Sequence, residues 1–176
     1  MRKPEGLFFL TWGIATFFTS LIVTYLTVVH RVSFVGALWA LVPVFGLTGT
    51  YVLVRYYKGH YVIFGEYRRV VAALWMFTGP AIGLVGFDSP TPLVAKTVLL
   101  GVGIAITGRL VRHCRTMLIG IITSFFSIAL YQFPVLYQPI VFGITTLIAM
   151  SVPGLLFIFS PANRAEGTQS ITQDAQ

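Results

Sequence analysis

Six apolar runs dominate the sequence, and each is long enough to cross the hydrocarbon core of a lipid bilayer as a single helix. A core of about 30 Å requires roughly 20 helical residues. Polar or proline-containing segments separate the runs, and such segments end helices. We therefore predict an all-α polytopic membrane bundle of six transmembrane helices, at about residues 7–29, 34–56, 70–87, 93–111, 116–133 and 140–159.

Composition favours lipid over water as the solvent of this chain. Of its 176 residues, 56% are hydrophobic and 10% are charged, whereas a soluble domain carries about 25% charged residues. We expect one transmembrane domain over residues 1–161. The polar, aromatic-free segment 162–176 is predicted to be a disordered cytoplasmic tail.

The placement of lysine and arginine predicts the orientation, because positive charge is retained on the cytoplasmic side of a membrane. With both termini inside, ten of the twelve basic residues fall on the inner side, and the exceptions are Arg31 and Lys96. We therefore expect a multi-pass protein of a bacterial cytoplasmic (inner) membrane, with both termini in the cytoplasm.

The basic residues of the inner loops indicate lipids as partners. The formal net charge of +7 arises from few acids, since five Asp and Glu face twelve Lys and Arg. This pattern is typical of membrane loops rather than of nucleic-acid-binding surfaces, and we expect no nucleic-acid partner. The candidate headgroup contacts, each attracted to anionic lipid by about 1 kcal/mol, are Lys58, Arg68, Arg69, Arg109, Arg112 and Arg115.

Small and hydroxyl-bearing residues recur at helical spacing in three of the predicted spans. Helices associate in lipid by close packing, which small residues permit. These faces are predicted to be intramolecular packing surfaces, and the alternative is a polar path or a small-ligand cavity. Their members are Gly13, Thr16, Ser20 and Thr24 in the first span, Gly79 and Gly83 in the third, and Gly120, Ser124 and Ser127 in the fifth.

Proline interrupts three spans, at Pro43, Pro80 and Pro153. Each proline frees a backbone carbonyl, and transporters use such breaks to line sites near the membrane midplane. Ordinary membrane helices tolerate the same breaks when neighbouring groups satisfy the freed carbonyl. The prolines favour a cavity without naming a ligand.

Lys96 lies just inside the fourth predicted span. Since it is within about one turn of the outer surface, its stem is expected to run along the helix and place the ammonium among the headgroups. The alternative is a polar site, in which Lys96 binds a ligand or pairs with nearby Asp88.

Trp12, Trp39 and Trp75 lie near predicted span ends or one to two turns in. Indole rings favour the membrane interface because they are apolar with one polar N–H group. We expect all three to be interfacial anchors, with stacking against a ligand as the alternative.

The sequence contains no recognisable catalytic, cofactor or metal constellation. Proton relays and intramembrane metal sites need ionisable side chains in the spans, which are nearly free of them. Cys114 is the one cysteine, and its neighbour His113 is adjacent rather than at metal-ligand spacing. We therefore predict a protein that is not an enzyme and that binds no cofactor or metal.

Several segments together resemble a family of uncharacterised six-span bacterial membrane proteins, over about residues 6–159. They are GLFFLTWG at 6–13, LWALVPVFGLTG at 38–49, YRRVVAALWMFTG at 67–79 and SVPGLLF at 151–157. The hairpin pattern is also similar to that of the HdeD-like acid-resistance membrane proteins. The resemblance implies a six-helix membrane fold and no established activity.

Two hypotheses about function follow. The first is a non-enzymatic accessory, interaction or stress-related membrane component, which acts through lipids, other membrane subunits or a second copy of itself. The second is a small-molecule transporter, or the substrate-binding membrane subunit of one. Apolar spans that are nearly free of ionisable residues favour the first hypothesis. The prolines and the hydroxyl-lined faces favour the second hypothesis.

Overall fold

The computed structural model describes most of the chain as helix. Every regular element within the described part is an α-helix or a short 3₁₀ helix, which confirms the all-α class for that part. The described residues are 3–30, 36–57, 69–71, 73–75 and 91–159.

Five α-helices correspond to five of the six predicted spans. The limits agree within four residues, except where the second helix begins after a 3₁₀ turn. The helices are α1 (Lys3–Val29), α2 (Leu41–Tyr56), α3 (Thr91–Leu110), α4 (Cys114–Leu130) and α5 (Gln138–Phe159).

Length and composition suit these helices to a lipid bilayer. Within the described residues, four helical stretches are long and apolar enough to cross a membrane: Pro4–Val29, Ala37–Tyr56, Leu93–Leu110 and Val135–Phe159. The fifth, Cys114–Leu130, is also apolar but has 17 residues, or about 25 Å at 1.5 Å per residue. Four of the five described helices are therefore long enough to span a membrane.

The third predicted span, 70–87, falls mostly outside the described residues. Residues 69–71 and 73–75 are helical, so the span begins as expected. A count of six spans stays a prediction. Also outside are Gly79, Pro80, Gly83, Lys58, Arg68, Asp88 and the tail 162–176.

Pro43 accounts for the late start of α2. A 3₁₀ helix, Gly36–Ala40, leads into α2 at Leu41. Pro43 has no N–H group and so cannot donate to the carbonyl of Trp39, four residues earlier. The missing backbone hydrogen bond therefore belongs to the first turn of α2. Pro153, by contrast, is buried inside α5.

The most extensive contacts join α1 to α5 and α3 to α4. A β-carbon added to Gly143 would overlap Ser20, and one added to Gly154 would lie 2.8 Å from the carbonyl oxygen of Gly6. Because the order of contacts is reversed along the two helices, α1 and α5 run antiparallel. The first and last helices of the described chain are therefore neighbours.

Helix α2 packs on the opposite flank of α1. The ring of Trp12 lies on Gly46, and Thr11 lies against Gly49, so these two helices are also antiparallel. Lys96, near the start of α3, contacts Trp39 before the start of α2. We call the end where α1 begins the N-terminal end, and the end where α2, α3 and α5 begin the far end.

Helices α3 and α4 form a hairpin in which the two backbones nearly touch. A β-carbon on Gly120 would overlap the backbone nitrogen of Ala105, and one on Gly108 would overlap that of Met117. Small residues are required at such crossings because lipid supplies no hydrophobic force to bring helices together.

A tight turn at the N-terminal end connects these two helices. The N–H of His113 donates to the carbonyl of Gly108 at 2.8 Å, and that of Arg112 to Arg109 at 3.2 Å. Arg112 adopts a φ of 54°, which completes a Schellman ending of α3. His113 then caps α4, since its Nδ1 accepts from the backbone N–H of Thr116 at 3.4 Å.

Candidate functional site

The interior of the bundle changes character along its axis. In the N-terminal half most buried side chains are aromatic or aliphatic. Phe9 stacks on Phe157 with ring centroids 5.7 Å apart, and Phe8 meets Trp75 edge-on at 6.3 Å. The three phenylalanines and Ile104 belong to one buried core cluster. Trp75 packs against this cluster.

Two tryptophans in this half bond to threonines on neighbouring helices. Trp12 Nε1 donates to Thr50 Oγ1 at 3.0 Å, and Trp75 Nε1 donates to Thr107 Oγ1 at 3.2 Å. The sequence predicts both rings to be interfacial anchors. In the structure, each N–H instead has a partner inside the protein and ties two helices together.

In the far half, by contrast, most buried side chains are polar. Thr19, Ser20 and Thr97 are each no more than 1% exposed. Their hydroxyls donate to the carbonyl four residues earlier in the same helix, at 2.8 to 2.9 Å, which lowers the cost of burying them. Also buried at or beyond the middle of the bundle are Thr16, Lys96, Ser127, Gln138 and Thr146.

Lys96 lies in the second turn of α3, within this polar half. It is 3% exposed, and its Nζ sits 5.2 Å from the ring centroid of Trp39. The sequence predicts that the side chain extends along the helix to the headgroups, but it turns into the bundle. The indole face of Trp39 attracts the ammonium there.

Phe142 completes the surroundings of Trp39. Its ring is 3% exposed and lies 5.5 Å from that of Trp39 in an edge-on arrangement. Trp39, Lys96 and Phe142 therefore join the starting turns of α2, α3 and α5. We call these three residues the Lys96 cluster. Asp88, the proposed partner of Lys96, lies outside the described residues.

Thr146 lies one turn beyond Phe142 on the same face of α5. It is 2% exposed, and within the described part of the chain its Oγ1 makes no hydrogen bond. Gln138 is also buried, and its Nε2 donates to the carbonyl of Phe133 at 3.1 Å while its Oε1 accepts no bond there. Buried polar atoms are nearly always paired, so the orphaned Thr146 hydroxyl requires an explanation.

The small-residue faces of α1 and α4 both point toward other helices. A β-carbon on Gly13 would lie 2.9 Å from Met150 Cβ, and Ser20 lies against Gly143. On α4, Gly120 faces Ala105. The remaining members are buried or half-buried: Thr16, Thr24, Ser124 and Ser127.

An open apolar groove of about 290 Å³ lies between α1 and α5 at the far end. Its walls include Leu21, Tyr25 and Val28 of α1, with Tyr137 and Ile140 opposite. In a bilayer such a groove would be filled by lipid, because its lining is almost entirely apolar.

Within the described part of the chain, the exposed arginines lie at the N-terminal end. Arg109, Arg112 and Arg115 are exposed around the turn between α3 and α4. Arg55 at the end of α2 and Arg69 are exposed as well. Arg69 is one of three predicted headgroup contacts that do not belong to this turn. The other two, Lys58 and Arg68, lie outside the described residues.

Glu5 is a buried acid that the sequence analysis did not single out. It is 8% exposed in the first turn of α1. Its position near the start of an apolar run is the feature of the sequence that indicates a structural role. A carboxylate at a helix N-terminus interacts favourably with the helix dipole.

Among the described residues, no group of three His, Cys, Asp or Glu side chains could hold a metal ion. No protein-family model matches the chain, and comparisons with curated proteins and with solved structures find no match either. The function of this chain is therefore inferred from its own sequence and geometry.

Proposed function

We propose that this chain is a non-enzymatic component of a bacterial cytoplasmic membrane, which it crosses six times with both termini in the cytoplasm. In this proposal it acts through membrane lipids and partner subunits or a second copy of itself. We include in this proposal the resemblance of the sequence to uncharacterised six-span membrane proteins and to HdeD-like proteins.

One observation carries it: among the described residues, the exposed arginines lie at the N-terminal end. Arg109, Arg112 and Arg115 surround a turn that is fixed by helix-ending and helix-capping hydrogen bonds. Positive charge marks the cytoplasmic side, and anionic headgroups lie at that surface. A rigid turn with three guanidinium groups suits contact with such headgroups, since arginine binds phosphate through two parallel hydrogen bonds.

The lipid part of the proposal can be tested by thermal unfolding of the purified protein in nanodiscs. Phosphatidylglycerol should stabilise the wild type relative to phosphatidylcholine, by up to about 3 kcal/mol for three charges. The triple variant Arg109→Gln, Arg112→Gln, Arg115→Gln should lose most of this difference. The comparison variant Arg55→Gln with Arg69→Gln, which removes two exposed arginines outside this turn, should lose a smaller part of it. Equal lipid dependence of the triple variant and the wild type would contradict the proposal.

A second candidate function is a small-molecule transporter or its substrate-binding membrane subunit. The polar far half favours it, because buried hydroxyls and a buried ammonium within a membrane helix commonly mark a substrate site. The aromatic N-terminal half would then close the path on the cytoplasmic side. Uptake of a labelled solute into proteoliposomes tests this function directly.

A further inference from the structure

We propose that one side of the α3 and α4 hairpin, with Arg109 and Arg115 at its N-terminal end, is a docking surface for a lipid that carries two phosphates, of the cardiolipin class. The inference rests on the proposed function and deepens it, because it names the class of lipid that the arginine turn recognises. It also assigns the surface on which the acyl chains lie.

Three arginines come together at the turn between these helices. Arg109 belongs to the last turn of α3, Arg115 to the first turn of α4, and Arg112 lies between them. Three residues of chain span at most about 10 Å, and the backbone N–H of Arg112 bonds to the carbonyl of Arg109. Among the described residues, none of the three forms an ion pair with an acid. The turn therefore concentrates positive charge within a small area.

Both terminal arginines of this group continue an exposed apolar row. Val102, Ile106 and Arg109 are exposed and follow one another along α3 at four- and three-residue steps, so they share one face of the helix. On α4, exposed Leu118 follows Arg115 by one such step. A guanidinium group therefore stands at the N-terminal end of a lipid-facing row on each helix.

The two rows lie on the same side of the hairpin. At the crossing, Gly108 of α3 contacts Met117 of α4. In two antiparallel helices, the residues that directly follow the contact positions project to the same side of the pair, because both helices are right-handed and run in opposite directions. Arg109 directly follows Gly108, and Leu118 directly follows Met117. One lipid molecule can therefore contact both rows.

The charges at the turn favour a lipid with two phosphates. Arginine binds phosphate through two parallel hydrogen bonds, so Arg109 and Arg115 can each hold one phosphate. When both phosphates are joined through one glycerol, the second contact is intramolecular and strengthens the first. A lipid with one phosphate leaves two of the three guanidinium charges uncompensated, whereas a lipid with two phosphates leaves one. Its acyl chains continue from the headgroup over the apolar rows.

The test measures thermal unfolding of the full chain in phosphatidylcholine nanodiscs that contain either cardiolipin or phosphatidylglycerol, compared at equal anionic charge. Half of the full stabilisation of the wild type should require at least about fivefold less anionic lipid when that lipid is cardiolipin. Equal dependence on the two lipids would overturn the inference while the proposed function stands. No stabilisation by either lipid would refute both.

Variants assign the arginines. Arg109→Gln and Arg115→Gln should each remove most of the preference for cardiolipin, because each leaves one phosphate without its guanidinium group. The matched control is Arg55→Gln, at an exposed arginine in the last turn of α2, and it should keep the preference. Unfolding in phosphatidylcholine alone verifies that each variant is folded. A preference that survives in both glutamine variants at the turn would overturn the inference.

The apolar rows are tested separately, because a free headgroup has the same phosphate chemistry as the lipid. The water-soluble, deacylated headgroup of cardiolipin should stabilise the wild type at least about tenfold less effectively than the lipid, since it buries no acyl chain. Leu118→Gln should weaken the response to cardiolipin a few-fold. Its control, Leu155→Gln at an exposed leucine of α5, should not. Equal stabilisation by headgroup and lipid would overturn the docking surface, and so would equal responses of the two leucine variants.

Discussion

At the scale of single residues, Arg112 shows how one backbone angle shapes the basic end of the molecule. Its φ of 54° lies in the left-handed region, where a side chain costs about 1 to 2 kcal/mol relative to the right-handed helix. Glycine occupies this position in most helix endings of this type. Arg112 therefore places a guanidinium at the turn, but it makes the folded protein less stable than a glycine at this position would.

Replacing Arg112 tests this strain. Arg112→Gly should raise the stability of the protein in uncharged detergent relative to Arg112→Ala, by about 1 kcal/mol. Both variants lose the charge, so the comparison isolates the backbone. Thermal unfolding measures the difference, and an alanine variant as stable as the glycine variant would show that the turn is not strained.

The Trp12 and Thr50 pair is a second residue-scale case, in which a hydrogen bond joins α1 to α2 at 3.0 Å. A double-mutant cycle with Trp12→Phe and Thr50→Val should give a coupling of about 0.5 to 1.5 kcal/mol, since bonds between membrane helices have that size. Unfolding in detergent provides the four stabilities. Strictly additive effects would mean that the indole N–H contributes nothing to the helix contact.

At the scale of elements, the bundle depends on glycines at helix crossings. In the α3 and α4 hairpin, the β-carbon missing from Gly120 would overlap backbone atoms of α3. Backbone cannot rotate away as a side chain can, so an added methyl group must separate the helices and weaken their other contacts.

Gly120→Ala should therefore destabilise the protein by about 1 to 3 kcal/mol, the usual cost of overpacking. A control on the same helix is Ile122→Ala, at a side chain that is 65% exposed and has few protein contacts to lose. Its effect should be smaller than that of Gly120→Ala. If the two substitutions cost the same, the close approach of α3 and α4 does not govern stability.

The elements themselves were largely predictable from the sequence. Long apolar runs predict helices, and Gly13, Ser20 and Gly120 predict close contacts at helical spacing. What the sequence could not supply is the direction in which a side chain faces. Hydropathy reports how deep a residue lies along a span, not which neighbour it meets. That is why Lys96 was assigned to headgroups, and why the pairing of α1 with α5 was not foreseen.

At the scale of the whole molecule, charge and polarity divide the bundle into two halves. The N-terminal end has exposed arginines over an aromatic core, while the far half encloses hydroxyls and one buried lysine. In our account the arginines face the cytoplasm and the polar half opens outward.

The sidedness of the two ends is the central claim, and native Cys114 permits a direct measurement. Cys114 is exposed at the N-terminal end, and Leu136 is 40% exposed at the far end. In intact bacterial cells, a membrane-impermeant maleimide should label Leu136→Cys in a Cys114→Ser background but leave Cys114 of the wild type unlabelled until the membrane is permeabilised. Labelling of Cys114 from outside, with protection of position 136, would contradict the account.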